Sequence, residues 1–262
     1  MRVIEWFQFL EENSSLGGNP SAVTVGIFDG VHRGHQALIE QVVSQKPGAV
    51  PVVITFRQSN HKKVSGSGHK GDILTFRQKL AIFESLGVSL TIVVEFSEAF
   101  SRMSGADFLQ ILYDYGKMSF MAVGSNFRCG YRLGTDALMI RELNAQRDIS
   151  TCILPPLTEG GHPISSSKIR AAIVQGKLEL AKAMLGRPFT VDLLGASSPV
   201  RIADGFAYDI AGCGCILPPP GRYPVLLLGK DGDRKPVEIL IEGGSVIIAG
   251  NLEGFCPEYV EF

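Results

Sequence analysis

Apolar runs and amphipathic stretches alternate along the first 157 residues of the chain. Five runs rich in β-branched residues are predicted to be strands: 21 to 28, 49 to 56, 90 to 96, 119 to 125 and 150 to 157. Stretches with apolar positions at helical spacing separate them, such as "GHQALIEQVVSQ" and "ILTFRQKLAIFESLG". Strands that alternate with helices form right-handed crossovers, so the pattern predicts an α/β fold with a doubly wound parallel sheet of five strands. Ligands of such sheets bind beyond the carboxyl ends of the strands.

The pattern changes twice after residue 157. "HPISSSKIRAAIVQGKLELAKAML", residues 162 to 185, begins with serines suited to an N-cap and predicts two short helices that break at Gly176. From about residue 190, short apolar runs such as "PVLLLG" alternate with Gly and Pro turns, which predicts a small antiparallel barrel or sandwich. We therefore predict one domain over residues 1 to 187 and a small all-β, barrel-like domain over residues 188 to 262.

Net charge and cysteine content indicate which class of ligand the chain binds and in which compartment it is found. The formal net charge of −1 gives no global field that would attract nucleic acid or an anionic membrane, so a compact phosphorylated ligand fits better. Five cysteines are an odd number in a chain too large to need disulfides, which favours reduced thiols and a cytoplasmic location. The opening residues resemble neither a signal peptide nor a membrane span. Cys213 and Cys215 are assigned no metal, because no second pair or nearby histidine completes four ligands.

Two histidines stand in "GIFDGVHRGH", directly after the first predicted long strand and at the start of a helix. Free backbone N–H groups and the helix dipole favour an anion at such a position, and Gly34 between His32 and His35 leaves room for a phosphate. Imidazoles can donate to phosphate oxygens and stabilise the charge that develops during transfer. The motif alone leaves open that these histidines are surface residues or metal ligands.

A second cluster, "SSSKIR", offers three hydroxyls and two cations, Lys168 and Arg170, at the entrance of another helix. By itself it is only a capped helix with a basic first turn. Combined with the histidines, it forms a second predicted phosphate site. Because the chain has neither a P-loop nor Gly-x-Gly-x-x-Gly after a strand, the pair indicates a nucleotide cleaved between its phosphates, by adenylyl or cytidylyl transfer.

The order and spacing of five segments resemble the adenylyltransferase module of bacterial FAD synthetases, the bifunctional riboflavin kinase/FMN adenylyltransferases. These segments are "MRVIEW", "VTVGIFDGVHRGHQALI", "ILTFRQKLAIFESLGV", "VGSNFRCGYRLGTD" and "ISSSKIRAAIVQGKLELAKAMLGRPF". The resemblance covers about residues 1 to 189 and implies the Rossmann-like fold of the H-x-G-H nucleotidyltransferases. It also implies the reaction of FMN with MgATP to give FAD and pyrophosphate, so that ATP, FMN, FAD, pyrophosphate and Mg²⁺ are the expected ligands.

The same resemblance implies roles for particular residues. His32 and His35 would bind the α-phosphate and the bridging oxygen, while Ser166 and Arg170 would hold the departing pyrophosphate. The family segment "(D/N)-F-R-F-G" matches residues 126 to 130, with Cys129 where phenylalanine is usual. The other residues expected to bind ATP or FMN are Gly26, Ile27, Phe28, Asp29, Gly30, Gly34, Phe56, Asn126, Phe127, Arg128, Ser165, Ser167 and Lys168. No metal ligand is assigned.

Two departures from the family pattern bear on function. After the second predicted strand, Thr55 and Phe56 are kept, but the usual Pro-His-Pro element is absent from the loop at 57 to 72. This Gly-, Ser- and Lys-rich loop has the composition of a flap beside the flavin, or of a solvated loop with no task. Residues 190 to 262 lack the Gly-rich "G-R-x-x-G-F-P-T-A-N" segment of riboflavin kinases. We therefore expect a degenerate kinase remnant without riboflavin kinase activity.

Three other functions stay open at this point. The chain could be a catalytically inactive module that binds flavin nucleotides or regulates their use. It could be a bifunctional enzyme whose kinase domain has diverged. It could also be another H-x-G-H transferase, acting on phosphopantetheine or nicotinamide mononucleotide.

Overall fold

A computed structural model describes residues 1–11, 16–57, 71–196, 198–210, 212, 214–250, 252 and 254–262. These residues form two compact units. The first unit consists of the described residues within 1–28, 34–60 and 80–157, and the second of those within 29–33, 61–79 and 158–262. The chain therefore enters the second unit three times. The predicted domain boundary near residue 187 stays a prediction.

The described strands, in chain order, are β1 (Arg2–Glu5), β2 (Ser21–Val25), β3 (Val50–Phe56), β4 (Leu90–Val94), β5 (Met118–Gly124), β6 (Arg128–Cys129), β7 (Thr135–Asp136), β8 (Ser150–Leu154), β9 (Thr158–Glu159), β10 (His162–Pro163), β11 (Thr190–Asp192), β12 (Val200–Ile202), β13 (Gly205–Asp209), β14 (Gly221–Gly229), β15 (Arg234–Glu242), β16 (Ser245–Ala249) and β17 (Pro257–Glu261). The described α-helices are α1 (Trp6–Glu11), α2 (Arg33–Val43), α3 (Phe76–Ser85), α4 (Glu98–Arg102), α5 (Gly105–Asp114), α6 (Ala137–Ala145), α7 (Ser166–Val174) and α8 (Leu178–Leu185). None of these helices is long and apolar enough to span a bilayer.

The first unit contains a parallel sheet in the order β1-β4-β3-β2-β5-β8. The predicted parallel sheet is confirmed, but it has six strands instead of five. The additional strand, β1, is four residues long and buries only Ile4 fully, so it carries too little apolar pattern to be recognised. The chain leaves the central strand β2 toward β3 on one side and reaches β5 on the other. This reversal is the topological switch point at which α/β sheets bind ligands.

The sheet forms because its central strands are apolar on both faces. Every residue of β2 and β4 is buried, as are the five central residues of β3. Parallel strands with helices on both faces need such continuous runs of β-branched residues. Phe9 of α1 and Leu109 of α5 are buried in the same apolar cluster as Ile54, Ile92 and Met121 of the sheet.

The second unit contains α7, α8 and a seven-stranded antiparallel sheet in the order β11-β17-β14-β15-β16-β13-β12. The predicted small all-β fold after residue 190 is confirmed. Within the described residues the two end strands, β11 and β12, do not pair with each other, so the sheet is an open half-barrel. The predicted break between the two helices is also confirmed, because Gly176 has a φ of 73° between α7 and α8.

Some predicted features lie outside the described residues. They include most of the loop predicted at 57 to 72, of which the structure describes only residues 57, 71 and 72. The same holds for Cys213, one of the two cysteines weighed as half of a metal site.

Candidate functional site

The turn that follows β2 has an uncommon backbone conformation. Phe28, Gly30 and Val31 have positive φ angles of 53°, 79° and 37°. Residues other than glycine rarely adopt such angles, so the surrounding contacts must hold this turn in place. Gly26 contributes space, since a Cβ atom there would lie 3.2 Å from the ring of Phe28.

Gly30 is required both by its backbone and by its neighbours. A Cβ atom at Gly30 would lie 3.0 Å from Cδ1 of Ile73 and 3.4 Å from Cδ2 of Leu185. We expect Gly30→Ala to lower the free energy of unfolding, measured by urea denaturation, by about 2–3 kcal/mol. Gly232→Ala is the matched control, because Gly232 has a φ of 87° and open space around its Cβ position. Equal losses in the two variants would contradict a packing contribution at Gly30.

Asp29 joins this turn to the N-terminus of α7. Its Oδ1 accepts a hydrogen bond from the backbone N–H of Ile73 at 2.9 Å. Its Oδ2 accepts from Nε and Nη2 of Arg170, at 3.2 and 3.0 Å. Its backbone carbonyl accepts from the Ser166 hydroxyl at 2.8 Å. Two predicted site residues of the second cluster are thus bonded to a predicted site residue of the first.

The pair of Asp29 and Arg170 is removed from water. The two side chains are 7% and 12% exposed. Burial, followed by the neighbouring charge of Asp72, raises the pKa of Asp29, and Arg170 acts in the opposite direction. Nη1 of Arg170 takes no part in the pairing with Asp29. The guanidinium therefore both compensates a buried carboxylate and retains donor capacity.

Arg187 holds the turn before His32, although it was not among the predicted site residues. Its Nη2 donates to the Gly30 carbonyl at 2.6 Å, and its Nη1 donates to the Val31 carbonyl at 3.0 Å. Burial lowers the pKa of Arg187 to about 10. In the sequence, "GRPF" signals only the end of a helix, and nothing in its spacing indicates a contact with residues 156 and 157 positions earlier. Arg187 fixes the backbone immediately before His32.

His32 lies in the second unit and is 7% exposed. Burial lowers the pKa of His32 to about 4; the charge of Arg187 adds to this effect, and a hydrogen bond with the histidine's own backbone opposes it. The imidazole is therefore neutral at pH 7. A neutral imidazole can donate one N–H to a phosphate oxygen without carrying charge itself.

The low pKa of His32 makes stability depend on pH. Between pH 6.5 and about 4 the unfolded chain takes up a proton at this histidine while the folded chain does not, so stability falls as the pH falls. We expect wild type to lose about 2 kcal/mol more unfolding free energy between pH 7 and pH 5 than His32→Asn. Urea denaturation at the two pH values measures this. His162→Asn, which removes an exposed imidazole, should behave like wild type; equal pH dependence in all three proteins would contradict the assignment.

His35 lies in α2, in the first unit. Its ring meets the edge of Phe28, with 5.1 Å between centroids, and Phe28 in turn meets Phe83 at 5.5 Å. The Thr55 hydroxyl donates to the Ile27 carbonyl at 3.2 Å, which ties the end of β3 to the segment after β2. The aromatic contacts orient the second histidine of the motif.

An aromatic group lies at the carboxyl ends of β3 and β4 in the first unit. Phe56, Phe96 and Phe100 form a triangle with centroid distances of 6.2, 6.0 and 5.9 Å. Phe96 is 36% exposed, so the group presents an apolar face to solvent. Phe96 and Phe100 were not predicted as site residues; the signal for them is that Phe96 ends a predicted strand and Phe100 follows it closely.

The predicted segment at 126 to 130 forms a turn after β5. The Phe127 N–H donates to the Gly124 carbonyl at 2.9 Å, and the Phe127 ring packs on the core. Asn126 and Arg128 are exposed. Burial raises the pKa of the Cys129 thiol to about 11, so this cysteine stays protonated.

The three serines of the second cluster have different surroundings. Ser165 is the N-cap of α7, and its Oγ accepts from the Lys168 N–H at 3.4 Å. The Ser166 hydroxyl donates to the Asp29 carbonyl, as described above. Ser167 and the Lys168 side chain are exposed and take no part in the cluster around Asp29. Within the motif "HRGH", Arg33 pairs with Glu159 at 2.5 Å.

Comparisons with known proteins give similarities over most of the chain. A family model described as FAD synthetase matches residues 17–168. The bifunctional riboflavin kinase/FMN adenylyltransferase of Buchnera aphidicola subsp. Schizaphis graminum is 29% identical over 175 residues, which are 65% of this chain and 56% of the relative. The protein of that name from Bacillus subtilis is 29% identical over 213 residues, 78% of this chain and 66% of the relative. The chain thus covers less than two thirds of the length of these relatives.

A solved structure shares the fold. It is the crystal structure of a protein named macrolide-efflux protein from Streptococcus pneumoniae, with a TM-score of 0.77 and 21% sequence identity. The similarity covers 99% of this chain and 87% of that one. It includes the half-barrel as well as the parallel sheet.

Proposed function

The chain belongs to the FAD synthetase family, and from this premise we propose that it is an FMN adenylyltransferase, which transfers AMP from MgATP to FMN. The products are FAD and pyrophosphate. The observation that carries the proposal is the junction at Asp29. Ser166 and Arg170, 137 and 141 positions away, both bond to this residue, which stands three positions before His32. Two motifs that each suggest a phosphate site thereby belong to one hydrogen-bonded cluster.

The chemistry requires positioning and charge compensation more than a protein base. The phosphate of FMN is the nucleophile, and with a second pKa of about 6 it is mostly dianionic at neutral pH. It attacks the α-phosphorus of ATP; a new phosphoanhydride bond forms, the bond to the bridging oxygen breaks, and pyrophosphate leaves with that electron pair. No proton has to be removed from the nucleophile.

The residues of the two motifs have matching properties. We assign His32 and His35, three positions apart in one motif, to the α-phosphate; the one N–H of the neutral His32 imidazole exchanges its own backbone for a phosphate oxygen when ATP binds. Arg170 and the backbone N–H groups at the start of α7 form the binding site for the departing pyrophosphate. Ser166 and Asp29 hold these groups relative to one another.

We assign the flavin ring to the first unit, at the aromatic group of Phe56, Phe96 and Phe100. The support is chemical: the isoalloxazine is a flat aromatic ring, and aromatic pairs favour stacked or edge-on contacts at such distances. Phe96 offers its ring to solvent. Phe127, in the turn after β5, was predicted to bind ATP or FMN, and we assign it to the flavin side as well.

We propose that Mg²⁺ binds together with ATP, as part of the MgATP substrate. Among the residues that the structure describes, no group of three or more His, Cys, Asp or Glu side chains could hold a metal ion. Mg²⁺ typically keeps several waters and binds phosphates together with one or two carboxylates. When it is bound, its chemical contribution is to neutralise charge on the phosphate oxygens.

We propose that riboflavin kinase activity is absent. Residues 190 to 262 have no counterpart of the Gly-rich segment that holds phosphate and metal in riboflavin kinases. The half-barrel therefore serves another purpose in this chain.

An assay with several acceptors tests both statements. The full chain is incubated with MgATP and, in separate arms, with FMN, riboflavin, nicotinamide mononucleotide or phosphopantetheine, and pyrophosphate and flavin products are measured. We expect FAD and pyrophosphate with FMN alone. FMN formed from riboflavin would overturn the absence of kinase activity. Pyrophosphate release with another acceptor would favour a different H-x-G-H transferase. Tight FMN binding, seen as fluorescence quenching, without any turnover would favour a binding module.

A further inference from the structure

Asp192, at the end of β11, is the most heavily bonded carboxylate of the second unit. Its side chain is fully buried. Oδ1 accepts from Nη2 of Arg77 at 2.6 Å and from the backbone N–H groups of Leu194 and Gly195 at 3.0 and 3.1 Å. Oδ2 accepts from the Thr75 hydroxyl at 2.6 Å and from Nε of Arg77 at 3.2 Å. Five hydrogen bonds on one carboxylate hold residues 75 and 77 to the first strand of the half-barrel.

A second attachment lies at the other end of the same short segment. The backbone N–H of Asp72 donates to the Gly214 carbonyl at 2.8 Å, and the Ile216 N–H donates to the Asp72 carbonyl at 3.0 Å. The backbones approach so closely that a Cβ atom on Gly71 would lie 2.8 Å from the Gly214 carbonyl oxygen. Residues 72 to 77 are therefore attached to the chain after residue 190 on both sides of Ile73.

Ile73 carries the contact to the turn at residues 29 to 31. Its N–H donates to Oδ1 of Asp29, and its side chain, 1% exposed, packs against Gly30. The same Asp29 receives Arg170 on its other oxygen. One chain of direct contacts thus runs from Asp192 through residues 72 to 77 to the Asp29–Arg170 pair.

We propose that the half-barrel functions as a brace for the nucleotide site, with Asp192 as the positioning residue. By holding residues 72 to 77 from the C-terminal side, Asp192 keeps the Ile73 N–H on Asp29 and so keeps Arg170 oriented. This role rests on the proposed adenylyl transfer. It means that the half-barrel, which lacks the kinase segment, supports adenylyl transfer by positioning Arg170. Because the Asp192 side chain is fully buried, it acts only through its neighbours.

The direct test is hydrogen exchange at the Ile73 amide in the full chain. Asp192→Asn keeps the size of the side chain but removes the charge that binds Arg77. We expect the Ile73 amide to exchange about tenfold faster in this variant. Amides within β15 and β16, such as that of Leu240, should keep their wild-type rates. Glu258→Gln is the matched control: it removes the other carboxylate on Arg77, which Nη1 contacts at 3.0 Å, and should leave Ile73 unchanged.

A second pair of variants keeps the test decisive if Asp192→Asn folds poorly. Thr75→Val removes the hydroxyl that donates to Asp192, and Thr75→Ser retains it. We expect Thr75→Val to accelerate exchange at Ile73 and Thr75→Ser to preserve the wild-type rate. The Thr75 hydroxyl also accepts from the Gln78 N–H at 3.3 Å, in the first turn of α3. Acceleration at the Gln78 amide alone would show that Thr75 acts only on this helix terminus, and would overturn the brace.

Steady-state kinetics test whether the brace affects the proposed adenylyl transfer. With FMN saturating, Asp192→Asn and Thr75→Val should lower kcat/KM for ATP about tenfold, while Glu258→Gln and Thr75→Ser stay near wild type. Faster exchange at Ile73 with unchanged kcat/KM would overturn a role in catalysis. Unchanged exchange would overturn the brace whatever the activity. If wild type shows no adenylyl transfer, the exchange data still decide whether Asp192 holds Ile73, so the two failures are distinguishable.

Discussion

Replacement of Arg170 by Met is expected to lower the free energy of unfolding by about 3–5 kcal/mol, the largest stability effect anticipated for this protein. Arg170 is the cation that compensates Asp29, and both side chains are almost completely buried. Met fills a similar volume but leaves a carboxylate in a site whose burial and whose neighbour Asp72 already disfavour charge. The cost comes from the uncompensated carboxylate rather than from the lost attraction alone.

Urea denaturation measures this loss, and its pH dependence identifies the cause. A carboxyl group with a raised pKa in the folded state contributes stability below its unfolded pKa, and that stability is lost as the pH rises. Without Arg170 the pKa of Asp29 rises further, so the loss should be larger at pH 8 than at pH 5. Arg222→Met is the control, because Arg222 forms an exposed pair with Glu238 and should cost less than about 1 kcal/mol. A loss at Arg170 that does not change with pH would contradict the uncompensated charge.

Replacement of His32 by Asn is expected to lower kcat for FAD formation by about 10²–10³, equivalent to about 3–4 kcal/mol of transition-state stabilisation. His32 follows a turn fixed by Arg187, Asp29 and the packing of Ile73 on Gly30. A donor that is already oriented and removed from water stabilises developing charge without further reorganisation.

The distribution of the loss between kcat and KM shows whether His32 acts at the transition state. We expect kcat and kcat/KM for ATP to fall together, because the interaction strengthens as charge moves onto the phosphate oxygens. Since the pKa of His32 is about 4 in the free protein, this residue should contribute no titration step near pH 6.5 to the pH profile of kcat/KM. Wild type and His32→Asn should therefore have profiles of the same shape around pH 6.5. A change in KM alone would assign His32 to ground-state binding and contradict the proposed role.

The longer strands and helices of the first unit could be predicted because each has a regular apolar pattern. The short helices α1 and α4 were not predicted, because five or six residues carry too little of such a pattern. Central strands such as β2 and β4 have no polar face, and their β-branched runs are visible in the sequence. β1 was not predicted, because it is short and lies at the edge of the sheet, where only Ile4 is fully buried. The antiparallel sheet after residue 190 was equally predictable, from short apolar runs between turns.

The candidate site was predictable only in part. Residues with recognisable local context, such as the cap serine Ser165 or the histidines of "HRGH", could be named from the sequence. The pairing of Asp29 with Arg170, and the bonds of Arg187 and Asp192, join residues more than 100 positions apart. Periodicity and spacing carry no information on such contacts. The neutrality of His32 likewise follows from burial, which arises only when the distant segments assemble.

The interleaved course of the chain has a consequence for synthesis on the ribosome. All six strands of the parallel sheet have been made by residue 154, so that sheet can form while the rest of the chain is still being translated. The turn at Asp29 is made early but receives Arg170, Arg187 and, through residues 72 to 77, Asp192 only after all strands of the sheet have been made. Its backbone, with positive φ angles at Phe28, Gly30 and Val31, therefore reaches its final form only after these later segments have been made. Premature termination between residues 154 and 166 would release a chain with all strands of its sheet made and its nucleotide turn unsecured.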